Sequence, residues 1–344
     1  MKKIDMVLVG LGSIGRHYLL QSSARNLRCL AIDIDSNKEP IAKDLGSLFS
    51  THSITNALEN IVIDSSTLAV IANWGPQHSD AFTALANCGI QKVIVEKPMA
   101  TSIADCLTIE STAAKFRINA SVHFRWAYLN LASVIENLIQ DLGLGEPLAL
   151  TSSGGALDLS TGGIHWMDFA RRLFKSDATS VVSALHSKAI NPRSPDLDFY
   201  DGVTSFDFGE SKRLTIMHNN RASVAPVQTI MYENAVLEFD ISLNYRLMVR
   251  PEVEVAQSKG VITRYGKANE VALEGQLDLG ESLPKVLDEM ISTDNNLSPL
   301  GSLSDGRIAV EMLSGALYSS QCKKAISLVD IDDEYLINHK WKVS

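Results

Sequence analysis

Long apolar runs are missing from this chain of 344 residues. No stretch approaches the ~18–20 residues that a bilayer-spanning helix needs, so no membrane partner is expected. A basic excess is missing too: 31 Lys and Arg stand against 40 Asp and Glu, a net charge of −9. Binding phosphate backbones takes a basic face, so no nucleic-acid partner is expected, although a small anionic ligand needs only two or three local cations. Cysteine is scarce, and Cys29, Cys88, Cys106 and Cys322 form no C-x-x-C pair. That excludes a disulfide framework and a zinc site, and points to thiols in a reducing compartment. No metal is expected. Internal repeats and low-complexity linkers are absent, which excludes solenoids and disorder. What remains is 45% hydrophobic and 21% charged, the composition of an ordinary globular protein with the length of two domains. Lys2 and Lys3 before an apolar stretch imitate a signal peptide, but Asp5 interrupts it and a glycine turn with Arg16 and His17 follows. The segment reads as a folded first strand, and a cytoplasmic location is expected.

Short apolar runs at 4–10, 28–34, 68–72, 92–96 and 118–122 read as buried strands, with a weak one at Leu48–Phe49. Helical spacing at 13–25, 38–46, Gln77–Asn87 and 103–116 lies between them. Such alternation predicts a parallel sheet covered on both faces. A change of texture near 123 divides the chain into 1–122 and 123–344. One long amphipathic helix is predicted at 127–142. Short strand-like runs then follow at 147–152, 179–187, 202–208, 213–218, 228–233, 235–241 and 244–250, with helices at 164–174, 281–292 and 303–321. The expected fold is α/β: a Rossmann parallel-sheet domain, then an α+β domain with a large open, mostly antiparallel sheet. The last helix fits either domain.

Gly10-Leu11-Gly12-Ser13-Ile14-Gly15 is G-x-G-x-x-G between a strand and a helix, the context a dinucleotide-binding turn requires. Gly10 permits the tight turn, Gly12 leaves room for a pyrophosphate, and Gly15 lets helix and strand approach. The bland alternative is a glycine turn without a ligand. The second strand ends at Asp33, 18 residues after Gly15, where an acid accepts hydrogen bonds from the adenosine ribose. Asp33 and Asp35 would repel a 2′-phosphate and the nearest following cation is Lys38, so NAD is favoured over NADP. Alternatively, Asp33 only solvates the strand end.

Glu96-Lys97-Pro98 ends the run K-V-I-V. Ligands of an open parallel sheet sit beyond the strands' carboxyl ends, and Pro98 restricts the residue before it, so Lys97 is an aimed ammonium. With the glycine turn, the sequence resembles the glucose–fructose oxidoreductase / inositol dehydrogenase (Gfo/Idh/MocA) family. The resemblance rests on V-G-L-G-S-I-G at 9–15, A-I-D at 31–33, A-N-W-G-P-Q-H at 72–78, V-E-K-P at 95–98, G-G-I-H-W-M-D at 162–168 and S-L-S-D-G-R at 302–307. It implies a Rossmann domain, and a second domain whose open sheet forms a homodimer or homotetramer. It also implies NAD(P)-dependent chemistry on sugars, cyclitols and related hydroxyl compounds. Glu96 and Lys97 would border the cofactor, with Lys97 stabilising charge on the reacting oxygen. Asn73, Pro76 and His78 match the loop on the nicotinamide side, although His78 also reads as a plain helix-start residue.

His165 and Asp168 are three apart at the start of a helical run, hence on one face. His165 suits the proton transfer, and the resemblance implies that it and Lys97 flank one substrate oxygen. The alternative is a first-turn histidine, with Asp168 complementing the helix dipole. The family's usual Asp four residues before this histidine is Thr161 here, which cannot ionise at neutral pH; Asp158 is a substitute if the loop bends. His123, Arg125, Trp126 and Trp166 are substrate candidates, followed by Lys188, Arg193 and Arg221. Arg125 with Arg193 or Arg221 would grip the diphosphate of a sugar nucleotide.

The leading expectation is an NAD(P)-dependent oxidoreductase acting on a secondary hydroxyl of a small sugar-like substrate. The I-H-W-M-D wording is similar to that of family members in surface-polysaccharide sugar pathways. Two other readings stand beside it: an NAD-dependent lyase or glycosidase using transient oxidation, and a non-catalytic cofactor or sugar sensor that has lost its acid.

Overall fold

A computed structural model describes residues 2–155, 158–186, 191, 194–251, 268–292 and 299–343. The chain forms two units: Met1–Leu129 with Glu281–Ser314 and Asp332–Ser344, and Asn130–Gly280 with Gly315–Ile331. Helix Leu303–Cys322 begins in the first and ends in the second.

The first unit is built on parallel strands. Among the described residues these are β2 (Met6–Val9), β3 (Cys29–Ile32), β4 (Leu48–Ser50), β6 (Leu68–Ile71), β7 (Lys92–Val95) and β8 (Asn119–Val122). A small pair, β1 (Lys2–Lys3) with β5 (Ile61–Val62), stands apart. Their order is β4-β3-β2-β6-β7-β8. β2, β3, β6 and β7 are buried along their whole length, as a sheet covered on both faces requires. The chain winds outward from β2 to β4, then crosses back to place β6 against β2. That reversal is the topological switch point of doubly wound sheets, where ligands bind beyond the strand ends. Helices follow the strands. Ser102 caps helix Ile103–Phe116 through the Asp105 amide, and left-handed Arg117 ends it. Tyr18, Leu19, Met6, Leu8, Leu68 and Val70 share one buried cluster with Val286, Leu287 and Met290, so helix Ser282–Ser292 belongs to this core.

The single helix expected over 127–142 is two. Arg125–Tyr128 and Leu131–Ile139 are separated at Leu129 and Asn130, the latter at φ 52°. Asn tolerates the left-handed region, and the apolar spacing continues on both sides, so periodicity alone does not reveal the break.

The second unit is a mixed, mostly antiparallel sheet. Its described strands are β9 (Pro147–Gly155), β10 (Ser180–His186), β11 (Asp201–Asp207), β12 (Arg213–Asn219), β13 (Val227–Tyr232), β14 (Ala235–Asp240), β15 (Asn244–Val249), β16 (Glu270–Gln276) and β17 (Ile326–Ser327). Their order is β16-β15-β14-β13-β9-β12-β11-β10-β17, with β9 and β12 parallel. Registered neighbours Phe206, Leu214, Leu150, Ile230 and Leu237 form a buried row on one face. Helix Ile164–Phe174 packs on β9. On the other face Val203, Met217 and Val227 lie in one row, each more than 40% exposed.

Candidate active site

β2 enters the glycine turn at the switch point. Gly10 sits at φ +91°, and a Cβ there would lie 2.5 Å from the Asn73 amide nitrogen. A Cβ on Gly15 would lie 2.1 Å from the Gly10 carbonyl oxygen. Neither position tolerates a side chain. Over Gly12 the space is open: a Cβ there would meet nothing within 4 Å. No side chain caps helix Ser13–Ala24, and its first turn holds no acid. The leading amides of a helix have no partner within it and carry a partial positive charge. Asn73 Oδ1, buried beside the turn, has no hydrogen-bond partner among the described residues. The open cradle and uncapped donors fit the anionic phosphates of a dinucleotide, and the orphan acceptor fits a hydroxyl or amide donor.

Asp33 closes the turn from the end of β3. Its Oδ2 accepts from the Leu11 amide at 2.6 Å and from Lys38 Nζ at 3.0 Å, and its Oδ1 accepts from the Asp35 amide at 2.9 Å. Burial pushes the Asp33 carboxyl up, but these donors outweigh it and hold it below the usual carboxylate value.

Beyond β7, Glu96 is 6% exposed and Lys97 is half-buried; the Lys97–Pro98 peptide is cis. Glu96 Oε1 accepts from Tyr18 Oη at 2.9 Å and contacts His123 Nδ1 at 2.8 Å. His123 Nε2 lies 3.0 Å from Ser282 Oγ. Burial pushes the Glu96 carboxyl up, while His123, Lys97 and Tyr18 pull it down further, so it is a carboxylate. The same enclosure raises the Tyr18 phenol well above its ordinary value, through burial and then the Glu96 charge. His123, a substrate candidate by sequence, is thus a buried link in a chain of four side chains. Tyr18 and Ser282 had no sequence signal, since Glu96 is 78 residues from Tyr18 and His123 is 159 from Ser282.

His78 is buried, with both ring nitrogens on backbone carbonyls. Pro76 lies in the short turn Gly75–Gln77 ahead of it. Trp126, expected to stack on a sugar, is 3% exposed; the exposed Arg125 lays its guanidinium 4.5 Å from the Trp126 ring centroid. Burial inside the first core removes Trp126 as a ring platform.

In the second unit Asp158 precedes a π-helical turn, Leu159–Gly163, that runs into helix Ile164–Phe174. The Asp158 carboxylate, 1% exposed, accepts from the Ser160 amide at 3.0 Å, the Thr161 amide at 3.2 Å, Thr161 Oγ1 at 3.3 Å and the Tyr200 amide at 2.6 Å; Ser160 Oγ donates too. Burial raises the Asp158 carboxyl against those donors. It does not stand in for the missing acid, because its oxygens are spent on the chain that orients Thr161. Asp168 is fully buried, and its carboxylate takes Arg172 Nε at 2.9 Å and Nη2 at 3.1 Å. An ion pair within the helix thus engages the acid that spacing places on the His165 face. Trp166 is 2% exposed, edge-on to Phe169 and Phe239 at 5.7 and 6.0 Å, and is core rather than substrate platform. His165 is half-buried at the helix start, and Arg221 is exposed. Lys188 and Arg193 lie outside the described residues.

Residues 4–124 match the Gfo/Idh/MocA family, described as an oxidoreductase family with an NAD-binding Rossmann fold. The chain is 28% identical over 207 residues to glucose-6-phosphate 3-dehydrogenase of Bacillus subtilis (strain 168), covering 52% of this chain and 55% of that protein. Over 145 residues it is 26% identical to inositol 2-dehydrogenase 3 of Saccharopolyspora erythraea, covering 41% and 42%. The alignments span about half the length of these curated relatives. A solved levoglucosan dehydrogenase in complex with NADH has a TM-score of 0.70 at 14% identity, covering 96% of this chain and all of that one; at that identity the likeness is one of fold.

Proposed function

We propose that the protein is an NAD-dependent dehydrogenase acting on one secondary hydroxyl of a sugar, cyclitol or sugar derivative. The observation that carries this reading is the first unit's arrangement: an open glycine turn, an ionised Asp33 beside it, and Lys97 beyond the same edge of the sheet. Relatives named for glucose-6-phosphate and inositol dehydrogenation point to the same substrate class. A bound nicotinamide supplies the hydride acceptor or donor. The chain supplies the rest. The helix start at Gly12–Gly15 holds phosphate charge. Asp33 accepts ribose hydroxyls and repels a 2′-phosphate, with Lys38 offsetting part of that repulsion. Lys97 puts a positive charge on the reacting oxygen, and His165 takes its proton. Thr161, oriented by Asp158, offers a neutral hydrogen bond in place of the family's acid.

The exposed row Val203, Met217 and Val227 supports a homodimer or homotetramer through the open sheet. Four free thiols support a reducing cytoplasm. Among the described residues no helix is long and apolar enough to cross a membrane.

A panel of glucose 6-phosphate, inositol, free sugars and sugar nucleotides of surface-polysaccharide type, each with NAD+ and NADP+, tests the reading at the reduced-nicotinamide absorbance band. We expect turnover with at least one compound, faster with NAD+, and a loss of about 10²–10³-fold in Lys97→Met. Sugar conversion without net reduction would instead mean transient oxidation and elimination. Binding of cofactor or sugar with no conversion would mean a sensor.

A further inference from the structure

His78 is 1% exposed. Its Nδ1 lies 3.0 Å from the Pro98 carbonyl oxygen and its Nε2 lies 3.0 Å from that of Asn73. The two carbonyls belong to different loops of the first unit. Asn73 is in the loop after β6, and Pro98 is one peptide past Lys97 after β7. Gly75 brings the same loops together a second time: a Cβ there would lie 3.1 Å from Thr101 Cγ2 and 3.5 Å from Pro98 Cγ. On its other side the first loop abuts the glycine turn, where the Asn73 amide crowds Gly10. Contacts therefore run from Gly10 through Asn73 and His78 to Pro98 and Lys97.

We propose that His78 is a positioning residue: wedged between the Asn73 and Pro98 carbonyls and donating to one of them, it fixes the Lys97 ammonium relative to the phosphate-binding turn. A neutral imidazole carries one N–H, so one of the two carbonyls accepts its hydrogen bond and the other lies against the bare ring nitrogen; the enclosed ring ties the loops by that bond and by packing, and water does not reach it to replace the bond. Neither nitrogen faces a ligand, so His78 acts through the loops. Misplacing a polarising group by about 1 Å costs about 100-fold in rate. The catalytic part of Lys97 rests on the proposed function, but the main readout needs no turnover.

His78→Leu keeps bulk and removes the hydrogen bond; His78→Gln keeps an amide donor for one carbonyl. Trace acetic anhydride would label the full-length proteins, and mass spectrometry would read each lysine. We expect the labelling of Lys97, relative to Lys115, to change at least threefold in His78→Leu and by less in His78→Gln, with the other lysines unchanged. Where a substrate is in hand, kcat should fall by about 100-fold while KM for NAD+ moves less than threefold. Wild-type labelling of Lys97 in a folded His78→Leu would overturn the proposal. So would failure of both variants to fold by circular dichroism, because His78 would then stabilise the fold rather than place Lys97. If wild-type protein turns over no sugar, the proposed function fails while the labelling result still decides this inference.

Discussion

A carboxylate shut away from water survives only where donors and positive charge outweigh lost hydration. Glu96 meets that condition through Tyr18, His123 and Lys97. Because its carboxyl titrates lower in the folded chain than in the unfolded one, the unfolded state takes up a proton first as pH falls. The stabilisation is therefore complete above the ordinary glutamate range and is lost as pH falls through the lowered folded value. Glu96→Gln removes the charge and keeps much of the shape. It should cost about 1–3 kcal/mol at neutral pH, and the gap from wild type should narrow in urea melts taken from pH 7 to about pH 3. A gap that stays constant would show that the carboxylate charge contributes nothing. The tripeptide Glu96-Lys97-Pro98 and the turn Gly10–Gly15 were legible because neighbouring residues carry them. The Tyr18–Glu96–His123–Ser282 chain was not, because it closes across strands and a helix distant in sequence.

The turn Leu159–Gly163 shows how one buried acid shapes a segment. Backbone amides of Ser160, Thr161 and Tyr200 all converge on Asp158. Asp158→Ala would leave these donors buried without an acceptor, at about 1–3 kcal/mol for each one that water does not reach. We expect a lowered melting temperature, faster amide exchange across 159–163 than across β9, and lost turnover through a displaced Thr161. Asp158→Asn retains one oxygen and removes the charge that burial penalises, so its loss should be smaller. Equal losses in both variants would assign the effect to side-chain volume. Strands such as Lys92–Val95 were readable from sequence because a fully buried parallel strand is a short apolar run. Helix periodicity read less well: it ran through the break at Asn130, and it placed His165 and Asp168 on one face without revealing that Arg172, one turn on, holds the acid.

The sheet of the second unit has unlike faces. Its helix-covered face carries Leu150, Leu214 and Ile230 with almost no exposure. Its other face carries Val182, Val203, Met217, Val227, Met231 and Val271, all at least 42% exposed. Register makes Val203, Met217 and Val227 near neighbours across β11, β12, β9 and β13, with Ser153 between the last two. Alternation along each strand announced this two-sidedness, but which strands lie side by side did not follow from local pattern. An apolar row of this kind is stable in water when another surface covers it, and a second copy offers a matching row by symmetry. A lysine in the middle of the row would then meet its own copy or apolar side chains across the interface and would have to desolvate. Met217→Lys should therefore shift the protein from oligomer to monomer in light scattering coupled to size exclusion, with far-ultraviolet circular dichroism unchanged. Exposed on a monomer, the same lysine would cost within about 0.5 kcal/mol. A wild-type protein that is already monomeric at micromolar concentration, or a variant whose mass is unchanged, would rule out this face as the contact.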